Sequence, residues 1–466
     1  MTSDAALALN RFGIGARPGE AARIASDPRG FLLAQLRIPE AALIAEPGLR
    51  ASDAAVRDLA QARRDRRAEA ALAAGAPPAE VTPMIPATGA EAPPAPGALR
   101  RDIYRDEVAA GLAHGAATDS GFVERLVLFW ANHFAVSADK GPVHVLAGAF
   151  SREAIRPHVL GRFADLLRAA ARHPAMLVYL DNQRSVGPLS PAGARAGRGL
   201  NENLARETLE LHTLGVDGGY GQADVIGLAR ALTGWGWVPP RADDPEAGRF
   251  RFVPNRHEPG PATVLSKTYP PGGAEQAEAV LDDLARHPST PRHIARKLVA
   301  HMIADDPPEP AVARVAAVFR DSDGDLAATA AALVATPEAW EPAPRKLKSP
   351  SEFVLSALRL QPALDPRDPA LIRTLTELGQ RPFTPPSPRG FPDDAASWLA
   401  PHAFRARVEW ACLACERAPP KANPAELADD VLGPLLSAET RREIARAETG
   451  AQGLALLLMS PEFQRR

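Results

Sequence analysis

The chain has almost no excess of either charge and no long apolar run, and each shortage excludes a class of protein. Lysine and arginine total 54 against 56 aspartate and glutamate residues, which gives a net charge of −2. Without a basic excess to release counterions from phosphates, nucleic acid is not expected as the main partner. No apolar run approaches the ~18 residues of a membrane-spanning helix. We therefore expect no membrane span.

The first five residues, Met-Thr-Ser-Asp-Ala, lack the features of a secretory signal. Such a signal has a basic region followed by an apolar segment, and neither is present. We therefore expect a cytoplasmic location, or a periplasmic one only if a partner carries the protein across.

Cysteine is nearly missing: Cys412 and Cys415 are the only two in the chain. Their Cys-x-x-Cys spacing occurs in redox centres, but here it lies in a helix-forming run without a βαβ context. A single pair also falls short of the four ligands of a structural zinc site. We interpret both cysteines as small core residues.

Helix-forming patterns are abundant and recur from Leu7 to Phe463. A chain of 466 residues with 45% hydrophobic residues can bury a large core. Several helix starts are marked by a polar cap followed by proline, as at Thr290-Pro291 and Ser349-Pro350. We predict a mainly α fold, a multi-helix globular bundle with one small β-hairpin.

The irregular stretches of the sequence predict how the chain is organised. An alanine- and proline-rich tract predicts a flexible insertion. Arg249–Val253 alternates like a strand, and we expect it to pair with Thr263–Leu265 as a hairpin near 249–266. The predicted sections are N-terminal helices in 1–72, the insertion in 73–98, a helical core in 99–379, a proline-rich loop in 380–395 and C-terminal helices in 396–466.

The segment from Gly199 to Gly215 reads as one helix with an unusual number of polar side chains. At about 100° per residue, Glu207 falls in the middle of an arc of leucines, and Asn203 and Glu210 lie at the edge of that arc. An unpaired buried carboxylate costs of the order of several kcal/mol or shifts its pKa until it is neutral. We therefore predict a polar group, a cation or a metal opposite Glu207.

The same projection places His212 well away from Glu207, by more than about 100°. The string Glu-x-x-Glu-x-His is therefore not a ready-made metal motif, and the sequence leaves both the metal and any cofactor undetermined. We favour the alternative, a buried structural network in which Glu207 and Glu210 pair with arginines such as Arg206, Arg156 or Arg230.

Three further groups of polar residues are candidates. His133 lies in a helix that is apolar nearly all round, where it is a ligand, a general base or a satisfied core residue. His257 and Glu258 lie in a loop, where binding residues often occur. His293, Lys297 and His301 are spaced four apart on one helix; they could bind an anion, but we favour a solvated basic face. The predicted catalytic residues are Glu207, Glu210 and His133, and the predicted ligand-binding residues are Asn203, Arg206, His257 and Glu258.

Several motifs that occur in order along the chain resemble one known family. They are Leu9–Glu20, Phe129–Ser137, Glu153–His158, His173–Asn182, Gly199–Gly215, Ala231–Trp235 and Arg256–Gly260. Together they resemble the bacterial domain-of-unknown-function family eighteen hundred over nearly the whole chain. Where that family is expected to have Gly-Trp in a late loop, this chain has Gly390-Phe391.

The resemblance implies a partner protein and a cellular role, but it implies no particular reaction. Members of the family often occur beside a second family that resembles the alkaline-phosphatase and sulfatase fold, which implies such a partner and a cell-envelope role. Two functions therefore stay open. The first is small-ligand binding, or metal-assisted or acid–base hydrolysis, at a polar centre between helices. The alternative is a non-catalytic helical scaffold whose loops bind a partner protein.

Overall fold

The computed structural model describes residues 2–73, 95–197, 199–343 and 345–466. In these residues helices dominate, and the predicted mainly α fold is confirmed. In chain order the helices are α1 (Ser3–Leu7), α2 (Glu20–Ile24), α3 (Pro28–Gln35), α4 (Ser52–Ala73), α5 (Pro96–Ala117), α6 (Gly121–His133), α7 (Ala147–Phe150), α8 (Phe163–Arg172), α9 (Pro174–Tyr179), α10 (Pro191–Ala196), α11 (Asn203–Glu207), α12 (Gln222–Ala231), α13 (Ala274–Arg286), α14 (Ser289–Met302), α15 (Glu309–Asp321), α16 (Leu326–Ala335), α17 (Pro350–Leu360), α18 (Ala370–Glu377), α19 (Ala395–Trp398), α20 (Pro401–Arg417), α21 (Pro424–Val431), α22 (Ala438–Ala445), α23 (Gly450–Met459) and α24 (Pro461–Gln464).

Within the described ranges, three helical stretches are π-helical rather than α-helical. They are Ala8–Phe12, Ser151–Ile155 and Thr208–Thr213, which continue α1, α7 and α11 respectively. A π turn closes with a hydrogen bond from residue i+5 to residue i, so it holds one residue more than an α turn. Side chains after such a turn therefore point in directions that a regular helical wheel does not give.

The strands form two small antiparallel sheets, and the predicted hairpin pairing is wrong. Strand β1 (Trp235–Trp237) pairs with β2 (Phe250–Phe252), and β3 (Ala262–Val264) pairs with β4 (Lys267–Tyr269). The two residues between β3 and β4 both have positive φ, 49° and 64°, as the tight turn of a two-residue hairpin requires. That turn gives β3 a partner directly after it, so the strand expected at Arg249–Val253 forms but pairs elsewhere.

The predicted insertion lies mostly outside the described residues. Helix α4 ends at Ala73 and α5 begins at Pro96, so residues 74–94 of the insertion are not described. The first and last sections of the chain are in contact, because Asn10 Nδ2 donates to the carbonyl of Val431 at 3.0 Å. Between α18, which ends at Glu377, and α19, which begins at Ala395, the chain forms no helix or strand.

The two cysteines differ in environment. Cys415 is buried, as predicted, and burial raises the pKa of its thiol to about 12. Cys412 is exposed, so its interpretation as a core residue is wrong. Both belong to α20, whose outer face carries Cys412. Among the described helices none is long and apolar enough to cross a membrane.

A buried charge network connects α6, α17 and the end of the chain. Glu352 on α17 accepts a hydrogen bond from Nη1 of Arg125 of α6, and its Oε1 lies 3.0 Å from Nη2 of Arg466. Burial would raise the pKa of Glu352, but the charges of Arg466 and Arg125 outweigh burial and hold that pKa well below its usual range. The fully buried amine of Lys348 lies nearby, so one carboxylate compensates several cations.

We predict that Glu352→Gln lowers the free energy of unfolding by about 3–5 kcal/mol, because the buried cations lose their counter-charge. Glu409→Gln is the matched control: Glu409 is exposed and pairs with Arg405 within α20 at 2.7 Å. That control should cost less than about 1 kcal/mol. Urea denaturation measures both values, and equal costs would contradict the assignment of Glu352 as the central counter-ion.

Candidate functional site

Helix α14 carries the polar centre of the molecule. The solvated basic face favoured for His293, Lys297 and His301 is wrong, because all three side chains are buried or half-buried. The three side chains face neighbouring elements of the fold. Each of them makes a hydrogen bond to a residue of one of those elements. The four-residue spacing thus marks an inward face.

His133 and Lys297 form the centre of this cluster. The Nζ atom of Lys297 lies 2.8 Å from Nδ1 of His133, and Nε2 of His133 lies 3.1 Å from the carbonyl oxygen of His212. Because a carbonyl only accepts, Nε2 carries the hydrogen and Nδ1 accepts from the lysine. Burial, followed by the charge of Lys297, holds the pKa of His133 well below its usual range. The ring is therefore neutral, in a fixed tautomer.

The π segment Thr208–Thr213 brings His212 into the same cluster. The amide of Leu214 donates to the carbonyl of Leu209 at 2.9 Å, the i+5 to i bond of a π turn. The extra residue in the turn rotates His212 into the core, where its ring centroid lies 6.0 Å from that of His133. The regular wheel that pointed His212 away from the core is therefore wrong.

Glu207, the last residue of α11, lies at the edge of the core. Glu207 is half-buried, so its predicted place in the middle of an apolar arc is wrong. Burial and the neighbouring charge of Glu210 raise the pKa of Glu207, while Arg206 and Arg389 lower it. Arg206 itself pairs with Glu202 at 2.8 Å. The cations near Glu207 thus act at a distance, and among the described residues no ion pair forms with Glu207 or Glu210 within 4.0 Å.

The other predicted ligand-binding residues lie apart from the histidine cluster. Asn203 is exposed at the start of α11. Nδ1 of His257 donates to the carbonyl of Thr233 at 2.8 Å, and Oε2 of Glu258 accepts from the amide of Leu189 at 2.9 Å. His257 and Glu258 therefore connect the turn after α12 with the segment before α10. These contacts hold loops in place.

A cavity with a volume of about 240 Å³ opens beside α14, between α5, α6 and the loop that precedes α19. Its wall is mostly apolar. The apolar side chains in that wall include Val108, Leu112, Val127, Leu128, Leu355, Leu375, Phe383 and Phe391. Asn132, His301 and Asp393 add polar groups. The periodicity of the sequence gave no signal for this cavity, because one wall is an irregular loop.

His301 and Asp393 form a hydrogen-bonded pair in the cavity wall. Nδ1 of His301 lies 3.0 Å from Oδ2 of Asp393. Burial would raise the pKa of Asp393, but His301, Lys346 and Arg466 lower it to about 2, so the carboxylate is ionised and accepts. Burial lowers the pKa of His301, so its ring is neutral, with the hydrogen on Nδ1. Its Nε2 is buried and has no partner in the described part of the chain.

A family model described as "Protein of unknown function (DUF1800)" matches residues 7–465. The chain belongs to this family. The resemblance of the sequence motifs is thereby confirmed. No curated protein and no solved structure matches the chain. Within the described ranges, no group of three or more histidine, cysteine or acidic side chains has a geometry that could hold a metal ion. What the site does must be argued from its own geometry.

The buried state of His212 predicts a pH-dependent stability. Burial, with the charges of Lys297 and His293, lowers the pKa of His212 from 6.5 to about 3. The unfolded chain takes up a proton at His212 below pH 6.5 and the folded chain does not, so this contribution to stability is full above pH 6.5 and is lost as the pH falls.

We predict that, when the pH falls from 7.5 to 5, the free energy of unfolding of the parent falls by about 2 kcal/mol more than that of His212→Phe. Phenylalanine suits the site because the ring of Phe134 lies 5.0 Å away and Nε2 of His212 has no partner in the described chain. Denaturation at several pH values measures the difference. His402→Phe, at an exposed position, controls for the substitution itself. An unchanged slope in His212→Phe would mean that His212 is protonated in the folded chain.

Proposed function

We propose that this protein binds a small, mainly apolar organic molecule in the cavity between α5, α6 and the loop before α19. The observation that carries the proposal is a partly enclosed apolar cavity of about 240 Å³ with a hydrogen-bonded His–Asp pair in its wall. Small-molecule sites are typically apolar concave spaces with a few convergent polar groups. Small-ligand binding was expected from the sequence at a polar centre between helices; we propose this cavity instead, whose wall contains none of the predicted ligand-binding residues.

The charged residues in the wall are already paired, which favours an uncharged ligand. Arg152 Nε donates to Glu107 at 3.0 Å, and Arg156 Nη2 lies 2.7 Å from Glu124 Oε1. A charged ligand would have to compete with these ion pairs or remain uncompensated in an apolar space. An uncharged molecule needs neither, and it gains from burial of its apolar surface.

The free Nε2 of His301 favours a hydrogen-bond donor at one end of the ligand. A buried acceptor without a donor costs about 1–3 kcal/mol. Because Nδ1 of His301 donates to Asp393, Nε2 can only accept. A hydroxyl or N–H group on the ligand would satisfy it, and the same nitrogen could take that proton as a general base. We therefore infer a ligand of the alcohol, phenol or amide class.

Acid–base or metal-assisted hydrolysis at Gly199–Gly215 remains a separate prediction. Its catalytic residues would be Glu207, Glu210 and His133, with ligand contacts from Asn203, Arg206, His257 and Glu258. The raised pKa of Glu207 beside Glu210 supports a role in proton transfer. A partner with an alkaline-phosphatase-like fold also remains a prediction, and the scaffold alternative stays open with it.

Gly111 offers a direct test of the cavity. It lies on α5 in the cavity wall, and a Cβ atom added there would meet no atom within 4 Å. Gly111→Leu should fill the cavity without disturbing the helix, because leucine favours a helix over glycine by about 0.8 kcal/mol. We predict saturable binding of the fluorescent apolar probe N-phenyl-1-naphthylamine to the parent, weakened at least about ten-fold in Gly111→Leu.

Gly97→Leu is the matched control, because Gly97 is an exposed residue of the same helix. It should bind the probe as the parent does. Circular dichroism and the thermal midpoint should show that both variants fold. Equal affinity in Gly111→Leu and Gly97→Leu would mean that the probe binds elsewhere and that the cavity is not a ligand site.

A further inference from the structure

Lys297 has a different environment from the other lysines whose ion pairs are described. The chain has six lysines against 48 arginines. Lys140 pairs with Asp181 at 2.5 Å, Lys346 pairs with Asp305 at 2.7 Å, and Lys267 pairs with Asp283. The amine of Lys297 instead donates to an imidazole, and no described carboxylate lies within 4.0 Å of it.

The elements around Lys297 bring mainly neutral rings to its amine. His133 of α6, His212 of the π segment and His293 of α14 all have pKa values lowered by burial, and the charge of Lys297 lowers them further. The loop before α19 contributes the more distant charges of Asp393 and Arg389. Lys297 is half-buried as a residue, and its amine is desolvated.

The hydrogen bond to His133 fixes how the amine can react. Nδ1 of His133 can only accept, because Nε2 donates to the carbonyl of His212. One N–H bond of Lys297 is therefore held against the imidazole, and the rest of the nitrogen faces away from it. Burial lowers the pKa of Lys297 to about 8, Asp393 raises it and Arg389 lowers it. At neutral pH a useful fraction of the amine is therefore free, and a free amine is a nucleophile.

We propose that Lys297 is the nucleophile of a second site, which binds small aldehydes or ketones as a Schiff base. The nitrogen lone pair attacks the carbonyl carbon, so that a C–N bond forms and the C=O π bond breaks. Two N–H protons pass through solvent to the oxygen, and the nitrogen lone pair then forms the C=N bond as the C–O bond breaks and water leaves. Carbonyl compound and amine thus give imine and water, with no change in oxidation state. Lys297 is not in the cavity wall, so the carbonyl compound would react outside the cavity.

Reductive trapping in the full chain tests the proposal. The protein is incubated briefly with acetaldehyde and cyanoborohydride at pH 7, and the ethyl group left on each lysine is quantified by peptide mass spectrometry. We expect Lys297 to react at least about ten-fold faster than the exposed Lys421. Lys348 should not react, because its side chain is fully buried. Equal or slower trapping at Lys297 than at Lys421 would overturn the proposal.

A pH series and two variants sharpen the result. The rate at Lys297 should level off above about pH 8; a rate still rising at pH 9.5 would show that the free amine is not formed there. Lys297→Arg keeps the charge and should remove only the fast reaction. Gly111→Leu should trap acetaldehyde as the parent does, because the cavity is a separate site. Loss of trapping in Gly111→Leu would overturn the assignment of a second site.

Discussion

The carbonyl groups at the end of the π segment Thr208–Thr213 need hydrogen-bond donors, and histidines of two other helices supply them. The last carbonyls of a helix have no partner within it. Those of Leu211 and His212 accept from His293 of α14 and His133 of α6, at 3.0 and 3.1 Å. These two bonds set which nitrogen of each ring carries the hydrogen. The acceptor left on His133 is the one that holds Lys297, so the chemistry of the lysine follows from the capping of a helix.

Helix α14 connects this cluster with the cavity. Lys297 and His301 lie one turn apart on one face, so a single helix places an amine among histidines and a second imidazole in the cavity wall. Asp393 acts on both: it accepts from His301, and its charge raises the pKa of Lys297. A ligand that shifts the loop carrying Asp393 would therefore change the charge felt by Lys297. The two sites are separate in space but share one carboxylate.

The sequence predicted the helical class because periodicity and proline-capped starts are local signals. It also noted the four-residue spacing on α14 but assigned it to a solvated face, which is wrong, and it placed His133 in an apolar helix, where the side chain is buried. It placed Glu207 and His212 wrongly because a π turn looks like an α turn in a wheel of about 100° per residue. The strand partners were wrong because the choice depends on two residues of positive φ at the β3–β4 turn. Asp393 and the cavity could not be predicted, since an irregular loop brings them to the site.

Several residues in the motifs that resemble the family have a structural role. The π segments lie within or beside three of them, and the π segment at Ala8–Phe12 contains the buried Arg11. Arg11 donates to the carbonyls of Ala339 and Glu341 at 2.6 and 2.8 Å, which satisfies the end of a short helix. The proposed nucleophile Lys297 and the neighbouring Asp393 lie outside these motifs. The matched motifs therefore account for parts of the helical structure and not for the proposed chemistry of Lys297.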